Sequence, residues 1–190
     1  MRTNGELPDN YLSPDNYLSK ETTLTAAKEL NKKGLLCAEY GDYKGAIHNY
    51  TQAIGLCPSY KTPYYYCTVA YMRLGDYEGA LNTITALIDS CPPMAFLYEM
   101  RGNIYFCMEK YIAAVDDYDR AIKTNPDQAS AYYGRGVAYA ETGDSEKAVA
   151  DIIKSSDMGH PDAWLLMAEM KKEKGHETLT RKRKRDGTLS

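Results

Sequence analysis

Phenylalanine and tryptophan are scarce in this chain of 190 residues, with two and one copies, whereas tyrosine occurs 18 times. Aromatic packing must therefore depend mainly on tyrosine, whose ring can pack while its hydroxyl reaches water. Long apolar runs are also absent: no stretch approaches the roughly 18 apolar residues of a membrane helix, and residues 1–10 lack the apolar run of a signal peptide. We therefore expect neither a membrane-spanning segment nor a secretory leader.

Motifs that carry catalysis or bind metal are missing as well. The glycines are isolated, so no loop can cradle a phosphate, and no serine stands in a nucleophile-elbow setting. The cysteines are odd in number, form no Cys-x-x-Cys pair and lie far in sequence from the histidines: Cys37, Cys57, Cys67, Cys91 and Cys107. We expect buried, reduced thiols in a reducing compartment, no metal, no cofactor and no enzyme activity.

Basic residues are concentrated at one end of the chain. Residues 171–190 carry eight bases and three acids, although the whole chain has a formal charge of -3, so the part before them is acidic. A nucleic-acid groove would need a basic stripe on the folded body. This distribution predicts no nucleic-acid binding by the body.

The most informative pattern that is present is a period of 34 residues. Pro58, Pro92 and Pro126 are separated by it, and so are four alanines: Ala46, Ala80, Ala114 and Ala148. A fixed period of this length is typical of a solenoid, in which each unit buries its apolar face only by stacking on its neighbours. Such a fold usually displays a binding surface.

Each repeat contains two segments with helical periodicity. In the third repeat Tyr98, Gly102 and Tyr105 share one face of a first helix, and Ala114, Tyr118 and Ala121 share one face of a second. The sequence therefore predicts an all-α fold of paired helices arranged in a right-handed superhelix.

The turn between the two helices of a repeat has its own signature. Gly41 and Gly75 suit a left-handed residue that ends the first helix, and Asp42 and Asp76 suit a cap at the start of the second. The third repeat has Glu109-Lys110 at the corresponding place, so we expect its turn to lack this cap.

The predicted domain organisation follows from these patterns. Residues 1–22 are polar, contain the tandem hexapeptide Pro-Asp-Asn-Tyr-Leu-Ser and are expected to be disordered. A repeat domain follows over residues 23–175, and a basic disordered tail over residues 176–190. Within the domain we expect repeats at 27–60, 61–94, 95–128 and 129–162 and a capping helix at 163–175.

The repeats resemble the tetratricopeptide repeat family, whose 34-residue pattern runs Trp-x-x-Leu-Gly-x-x-Tyr, then Ala-x-x-x-Phe, then Pro. The third repeat matches it with Tyr98, Arg101, Gly102, Tyr105, Ala114, Tyr118 and Pro126. The last joint, from Gly159 to Ala163, also resembles the joints of Sel1-type repeats. The resemblance covers about residues 24–175 and implies a module that binds another protein.

In that family the first helices of successive repeats line a concave groove. Carried across residue by residue, the resemblance implies an apolar and aromatic groove centre with a polar rim, as in protein-binding patches. The residues that we predict for the partner site are Tyr65, Tyr66, Val69, Phe96, Met100, Asn103, Tyr133 and Val137. The other groove places of the third and fourth repeats fall on Glu99, Phe106, Cys107, Ser130, Gly134 and Glu141. The alternative is that several of these side chains only pack between helices.

The best-known family activity is the binding of a chaperone's C-terminal carboxylate by a clamp of Lys, Asn and Arg. In the first register this chain has Asn31, Leu35, Tyr66, Phe96 and Met100 at the clamp places. One register further on it has Tyr65, Val69, Met100, Ser130 and Gly134. Neither register offers a positive charge to hold a carboxylate, so we do not expect clamp binding.

We therefore predict a non-catalytic adaptor or scaffold that binds a protein, peptide or helix in its groove. The alternatives are a co-chaperone-like module that docks without the clamp, or an accessory subunit of an enzyme complex. We expect a monomer with no membrane or nucleic-acid partner, in the cytoplasm and possibly the nucleus.

Two charged clusters remain. Asp116, Asp117 and Asp119 lie on one predicted helix, and we interpret them as a solvated face. The basic run Arg181, Lys182, Arg183, Lys184 and Arg185 suits a nuclear import signal, a contact with an anionic surface or a solvated tail.

Overall fold

A computed structural model describes residues 14–168 of the chain, with side chains from residue 20 onward. Within that range every regular element is a helix, which confirms the predicted all-α fold. The helices are α1 (Pro14–Glu39), α2 (Tyr43–Leu56), α3 (Thr62–Leu74), α4 (Tyr77–Asp89), α5 (Ala95–Cys107), α6 (Tyr111–Thr124), α7 (Ala129–Glu141) and α8 (Ser145–Asp157). A further helix, α9, begins at residue 161 and is described to residue 168. None of these helices is both long and apolar enough to cross a bilayer.

The predicted Gly-Asp turns are confirmed. Gly41 has a φ of 78°, which lies in the left-handed region that glycine adopts without steric cost. The Asp42 carboxylate then accepts a hydrogen bond of 2.9 Å from the backbone N–H of Gly45. Gly75 and Asp76 repeat the arrangement between α3 and α4. Each aspartate satisfies a backbone N–H in the first turn of its helix that has no partner within the helix.

The third turn departs from this pattern as the sequence predicts. Glu109 has a φ of 58°, and among the described residues it is the one non-glycine residue with a positive φ. Lys110, the N-cap of α6, makes no side-chain capping bond to the helix. The chain therefore adopts the same turn without the residue types that favour it.

Two helices of the described chain begin at other residues than the predicted domain limits. α1 begins at Pro14 and includes residues 14–22, which we expected to be disordered. A proline is compatible with a helix start because its missing N–H would have no partner in the first turn. α9 begins at residue 161 rather than 163, directly after His160, whose Nδ1 accepts from the backbone N–H of Ala163 at 3.4 Å. The first hexapeptide copy and residues 169–190, with the basic run, lie outside the described residues.

The chain divides into two compact units, and the first extends to Thr83. In this unit α2 packs on both α1 and α3 around a core of Ala46, Tyr50, Cys67 and Ala70. Gly34 of α1 allows Tyr50 to approach, since a Cβ on Gly34 would lie 2.4 Å from the Tyr50 ring. A small residue on one helix therefore makes room for a tyrosine from the next.

The second unit begins at Ile84 and contains α5 to α9. Here α6 packs on both α5 and α7, and α7 packs on α8. Two small clusters of buried side chains form its core: Ala95, Ala121 and Ala131 in one, and Ala114, Tyr118 and Ala138 in the other. Alanines keep the helices close, and Tyr118 is the largest buried side chain in these two clusters.

An ion pair joins the two helices of each pair from α5 to α8, buried in the first pair and partly buried in the second. Arg101 of α5 donates to Asp117 of α6 through Nε and Nη2, at 2.6 and 2.8 Å. Thirty-four residues later Arg135 of α7 donates to Asp151 of α8 in the same two-bond geometry, at 2.7 and 2.8 Å. Asp117 is only 2% exposed. The interpretation of Asp117 as part of a solvated face is therefore wrong. Asp116 and Asp119 are exposed, as expected.

All five cysteines are free. Only Cys67 is buried, and Cys107 is exposed, so the expectation of buried thiols is wrong for Cys107. Burial raises the pKa of the Cys67 thiol to about 11, which keeps this thiol protonated at neutral pH.

Candidate functional site

An open cleft of about 410 Å³ lies within the second unit, between α5, α7 and the start of α9. α5 and α7 are the first helices of their pairs, and these helices line the groove in the resemblance described above. The lining residues are Glu99, Asn103 and Phe106 of α5, Tyr118 of α6, Ser130, Tyr133, Gly134 and Val137 of α7, and His160 and Asp162. Their mixture of aromatic, amide and carboxylate groups can contact both apolar and polar parts of a ligand.

Tyr118 reaches this cleft from the helix behind it. A Cβ on Gly102 would lie 2.9 Å from the Tyr118 ring, and one on Gly134 would lie 2.7 Å from it, so only glycines leave room for the ring here. The Tyr118 hydroxyl donates to Oδ1 of Asn103 at 2.7 Å. Burial is the main cause that raises the pKa of Tyr118, so its hydroxyl stays a neutral donor.

This bond orients the side chain of Asn103. Asn103 is exposed, and its Oδ1 is held by Tyr118. The other end of the amide carries two N–H donors, which can bond to a carbonyl group that enters the cleft. The amide is therefore positioned before any ligand arrives, which lowers the entropic cost of binding.

One wall of the cleft is aromatic. The rings of Tyr133 and His160 stack with their centroids 4.7 Å apart and their planes 14° from parallel. His160 is fixed at the start of α9 because its Nδ1 accepts from the backbone of Ala163. Phe106 meets Tyr111 edge to face at 5.3 Å. These contacts place the aromatic rings of Tyr133, His160 and Phe106 beside the polar side chains of the cleft.

The charged residues of the cleft are acidic. Glu99 accepts hydrogen bonds from Ser130, at 2.9 Å, and from Gln128. Asp162 is exposed at the first turn of α9. No lysine or arginine is among the residues that line this cleft in the described part of the chain. The cleft therefore favours cationic over anionic groups.

Of the predicted site residues, the structure brings Asn103, Tyr133 and Val137 together in this cleft. Phe96 lies on α5 with 47% of its surface exposed, and Met100 is half-buried on the same helix. Neither of these two lines the cleft.

The other three predicted residues belong to α3, in the first unit. Tyr66 stacks on Tyr50 with ring centroids 6.1 Å apart, and Tyr65 meets Tyr66 edge to face at 5.3 Å. Tyr65 is 36% exposed, and Val69 is half-buried. Tyr66 therefore packs between helices, which is the alternative to a role in ligand contact that the sequence analysis left open. Tyr65 has more of its surface exposed.

Sequence reasoning missed Tyr118, His160 and Asp162. The sequence placed Tyr118 on one face of the second helix of its repeat, away from the first helices that line the predicted groove. The available signal was a pair of glycines, Gly102 and Gly134, on the first helices of two successive repeats. His160 and Asp162 lie in the last joint, where the period of 34 ends and gives no register.

No group of three or more His, Cys, Asp or Glu side chains suited to a metal ion occurs in residues 20–168. The chemistry of the cleft is therefore described by hydrogen bonds, aromatic surfaces and two carboxylates.

Comparison with known families supports the repeat assignment. A family described as TPR repeat matches residues 34–75 and 102–143, and one described as Tetratricopeptide repeat matches residues 129–158. Together these matches cover just over half of the chain. No match was found among the curated proteins.

Solved structures of similar fold include the crystal structure of MamA, with 26% identity over 66% of this chain and 74% of that chain and a TM-score of 0.63. The first TPR domain of human RPAP3 is 22% identical, covers 66% of this chain and 98% of that chain, and has a TM-score of 0.58.

The first TPR of Spaghetti (RPAP3), solved with the HSP90 peptide SRMEEVD, is 23% identical over 63% of this chain and 94% of that chain, with a TM-score of 0.58. At these identities the likeness to the RPAP3 structures concerns the fold. With the helix pairs, the capped turns and the matched residues, it shows that the chain belongs to the tetratricopeptide repeat family, whose fold is a general protein-interaction module.

Proposed function

We propose that this protein is a non-catalytic adaptor that binds a segment of another protein in the cleft between α5, α7 and α9. The observation that carries the proposal is the cleft itself, with its preorganised amide at Asn103 and its aromatic wall at Tyr133. A backbone carbonyl of the partner accepts from Asn103, and an apolar side chain packs on Tyr133 and Val137.

The remaining predicted residues are proposed as further contact surfaces, each within its own unit: Phe96 and Met100 on α5 of the second unit, and Tyr65, Tyr66 and Val69 on α3 of the first. Phe96 and Tyr65 each expose a large part of an aromatic ring, and aromatic side chains are enriched among residues that dominate binding energy. In the first unit Tyr66 supports the ring of Tyr65 by an edge-to-face contact, and Val69 is half-buried; in the second unit Met100 is half-buried.

We expect this cleft to disfavour the chaperone peptide that was solved with one of the similar structures. SRMEEVD carries three carboxylate side chains, whereas the charged residues of the cleft are Glu99 and Asp162. Like charges at short distance in a partly desolvated cleft oppose binding. We therefore propose a partner segment that is not acidic.

Affinity capture of the full chain, followed by mass spectrometry of the bound proteins, tests the proposal. The comparison is between the wild-type chain, Tyr133→Ala and the control Asp116→Asn, which changes an exposed residue of α6 outside the cleft. We expect one or more proteins to be retained by the wild-type chain and the control and lost with Tyr133→Ala. Equal retention by all three chains would place the site elsewhere.

A further inference from the structure

We propose that the basic run of this same chain, residues 181–185, docks in the acidic cleft of the second unit and competes there with the partner. This inference rests on the proposed function for its consequence, since the competition concerns the same cleft. The docking itself can occur whether or not a partner binds.

Charge complementarity is the first observation. The cleft combines Glu99 and Asp162 with no lining lysine or arginine. The run Arg181 to Arg185 consists of five consecutive bases. Opposite charges of this kind attract over a distance of about 8 Å at physiological salt.

The second observation is the shape of the aromatic wall. Tyr133 and Phe106 line the cleft, and cations are attracted to the faces of aromatic rings. His160 stacks on one face of Tyr133, so a guanidinium can use only the other face. The same guanidinium can donate two hydrogen bonds to one carboxylate oxygen pair, as Arg101 does to Asp117 elsewhere in this unit. A run of alternating Arg and Lys offers several registers for these contacts.

The third observation is reach. Asp162 lies at the start of α9, and the described part of that helix spans about 12 Å to Ala168. The dozen residues between Ala168 and Arg181 can extend over about 40 Å. The run can therefore return to the cleft. Because the contact is intramolecular, its effective concentration is on the order of millimolar, so even a weak contact is populated.

The experiment uses the full chain, labelled for NMR, with Arg181, Lys182, Arg183, Lys184 and Arg185 all changed to Gln. A charge control removes three other bases of the same end of the chain, with Lys171, Lys172 and Lys174 changed to Gln. Backbone shifts of Ser130, Tyr133, Gly134 and Val137 should differ between the wild-type chain and the 181–185 variant. They should stay near wild-type in the control.

The cleft acids give the reciprocal test. In a Glu99→Gln, Asp162→Asn chain, changing residues 181–185 to Gln should no longer move the cleft signals, because the docking partner is already lost. The control pair Asp116→Asn, Asp127→Asn removes two exposed acids outside the cleft and should leave the effect of the run intact. Salt at 0.5 M should abolish the wild-type difference.

Three results would overturn the inference. The first is an absence of shift changes at the cleft when the run is neutralised. The second is an equal change in the lysine control. The third is a difference that vanishes on hundredfold dilution, which would assign the contact to a second copy.

If a partner is available, it should bind about tenfold more tightly to the 181–185 variant. Shift changes without partner binding would refute only the adaptor proposal, and partner binding without shift changes would refute only the docking.

Discussion

The buried ion pair between Arg101 and Asp117 is the residue-scale feature whose loss should be most costly. Asp117→Ala leaves the guanidinium of Arg101, a residue 9% exposed, without its carboxylate. Removing one partner of a buried pair costs about 3–5 kcal/mol of unfolding free energy, because the other charge stays desolvated. Urea unfolding of Asp117→Ala and of the exposed neighbour Asp116→Ala measures this difference.

The control for that prediction is a double change. Arg101→Met with Asp117→Leu removes both charges and should recover most of the stability lost in Asp117→Ala. An Asp117→Ala chain as stable as Asp116→Ala would show that the pair contributes nothing.

Alkaline pH should weaken the first unit through Cys67. The thiol's pKa rises from its ordinary 9.0 to about 11 in the folded chain, chiefly through burial. Between these values the unfolded chain releases a proton that the folded chain holds, so the free energy of unfolding falls as pH rises. Below pH 9 the contribution is fully present. Burial similarly raises the pKa of Tyr50 to about 12.

The measurement is urea unfolding at pH 8 and pH 10.5 for the wild-type chain, Cys67→Ala and Cys107→Ala. The loss of stability between the two pH values should be smaller in Cys67→Ala than in the wild-type chain. Cys107 is exposed, so its variant should lose as much as the wild-type chain. Identical losses in all three proteins would refute the assignment.

At the scale of elements, the turn between α5 and α6 lacks the glycine and the capping aspartate of the other described helix-pair turns. Glu109 adopts a left-handed conformation that costs a non-glycine residue about 1 kcal/mol, and Lys110 supplies no capping oxygen. Glu109→Gly should therefore raise the free energy of unfolding by about 1 kcal/mol, and Lys110→Asp by about another 1 kcal/mol.

Two glycines serve as controls for this prediction. Gly75→Ala places a side chain at a φ of 74° and should destabilise the chain. Gly55 lies inside α2 with open space around it, so Gly55→Ala should stabilise the helix by about 1 kcal/mol. A destabilising Glu109→Gly would contradict the account of the turn.

The elements were largely predictable from the sequence, because the period of 34 fixes register and the Gly-Asp pairs mark each turn. The side chains that join elements were less predictable. The acidic neighbours Asp116 and Asp119 indicated a solvated face for Asp117 as well. Its partner Arg101 lies sixteen residues earlier, on another helix. The same spacing between Arg135 and Asp151 is the signal that identifies both pairs.

The cleft was only partly predictable for a related reason. The resemblance identified Asn103, Tyr133 and Val137 through their places on first helices. It did not indicate that Tyr118 passes between two glycines, because that depends on how closely α5 and α7 approach. The sequence did not indicate where α1 begins: the two prolines suggested a broken chain, and Pro14 is the first residue of the helix.

At the scale of the whole molecule, the acidic cleft should reject an acidic chaperone peptide. SRMEEVD should bind this protein with a Kd in the millimolar range or weaker, because Glu99 and Asp162 repel its carboxylates. Fluorescence anisotropy with a labelled peptide measures this, with the RPAP3 domain as the positive control. Micromolar binding that disappears when the peptide's terminal carboxylate is amidated would contradict the proposed partner class.

The most direct test of the central claim is the affinity of a captured partner segment for Tyr133→Ala, measured by calorimetry beside the melting temperature. The account predicts a loss of about 2 kcal/mol, or roughly thirtyfold in Kd, with little change in melting temperature. Asp116→Asn should bind as the wild-type chain does. Unchanged affinity in Tyr133→Ala, or a loss that only follows unfolding, would contradict the claim that this cleft binds the partner.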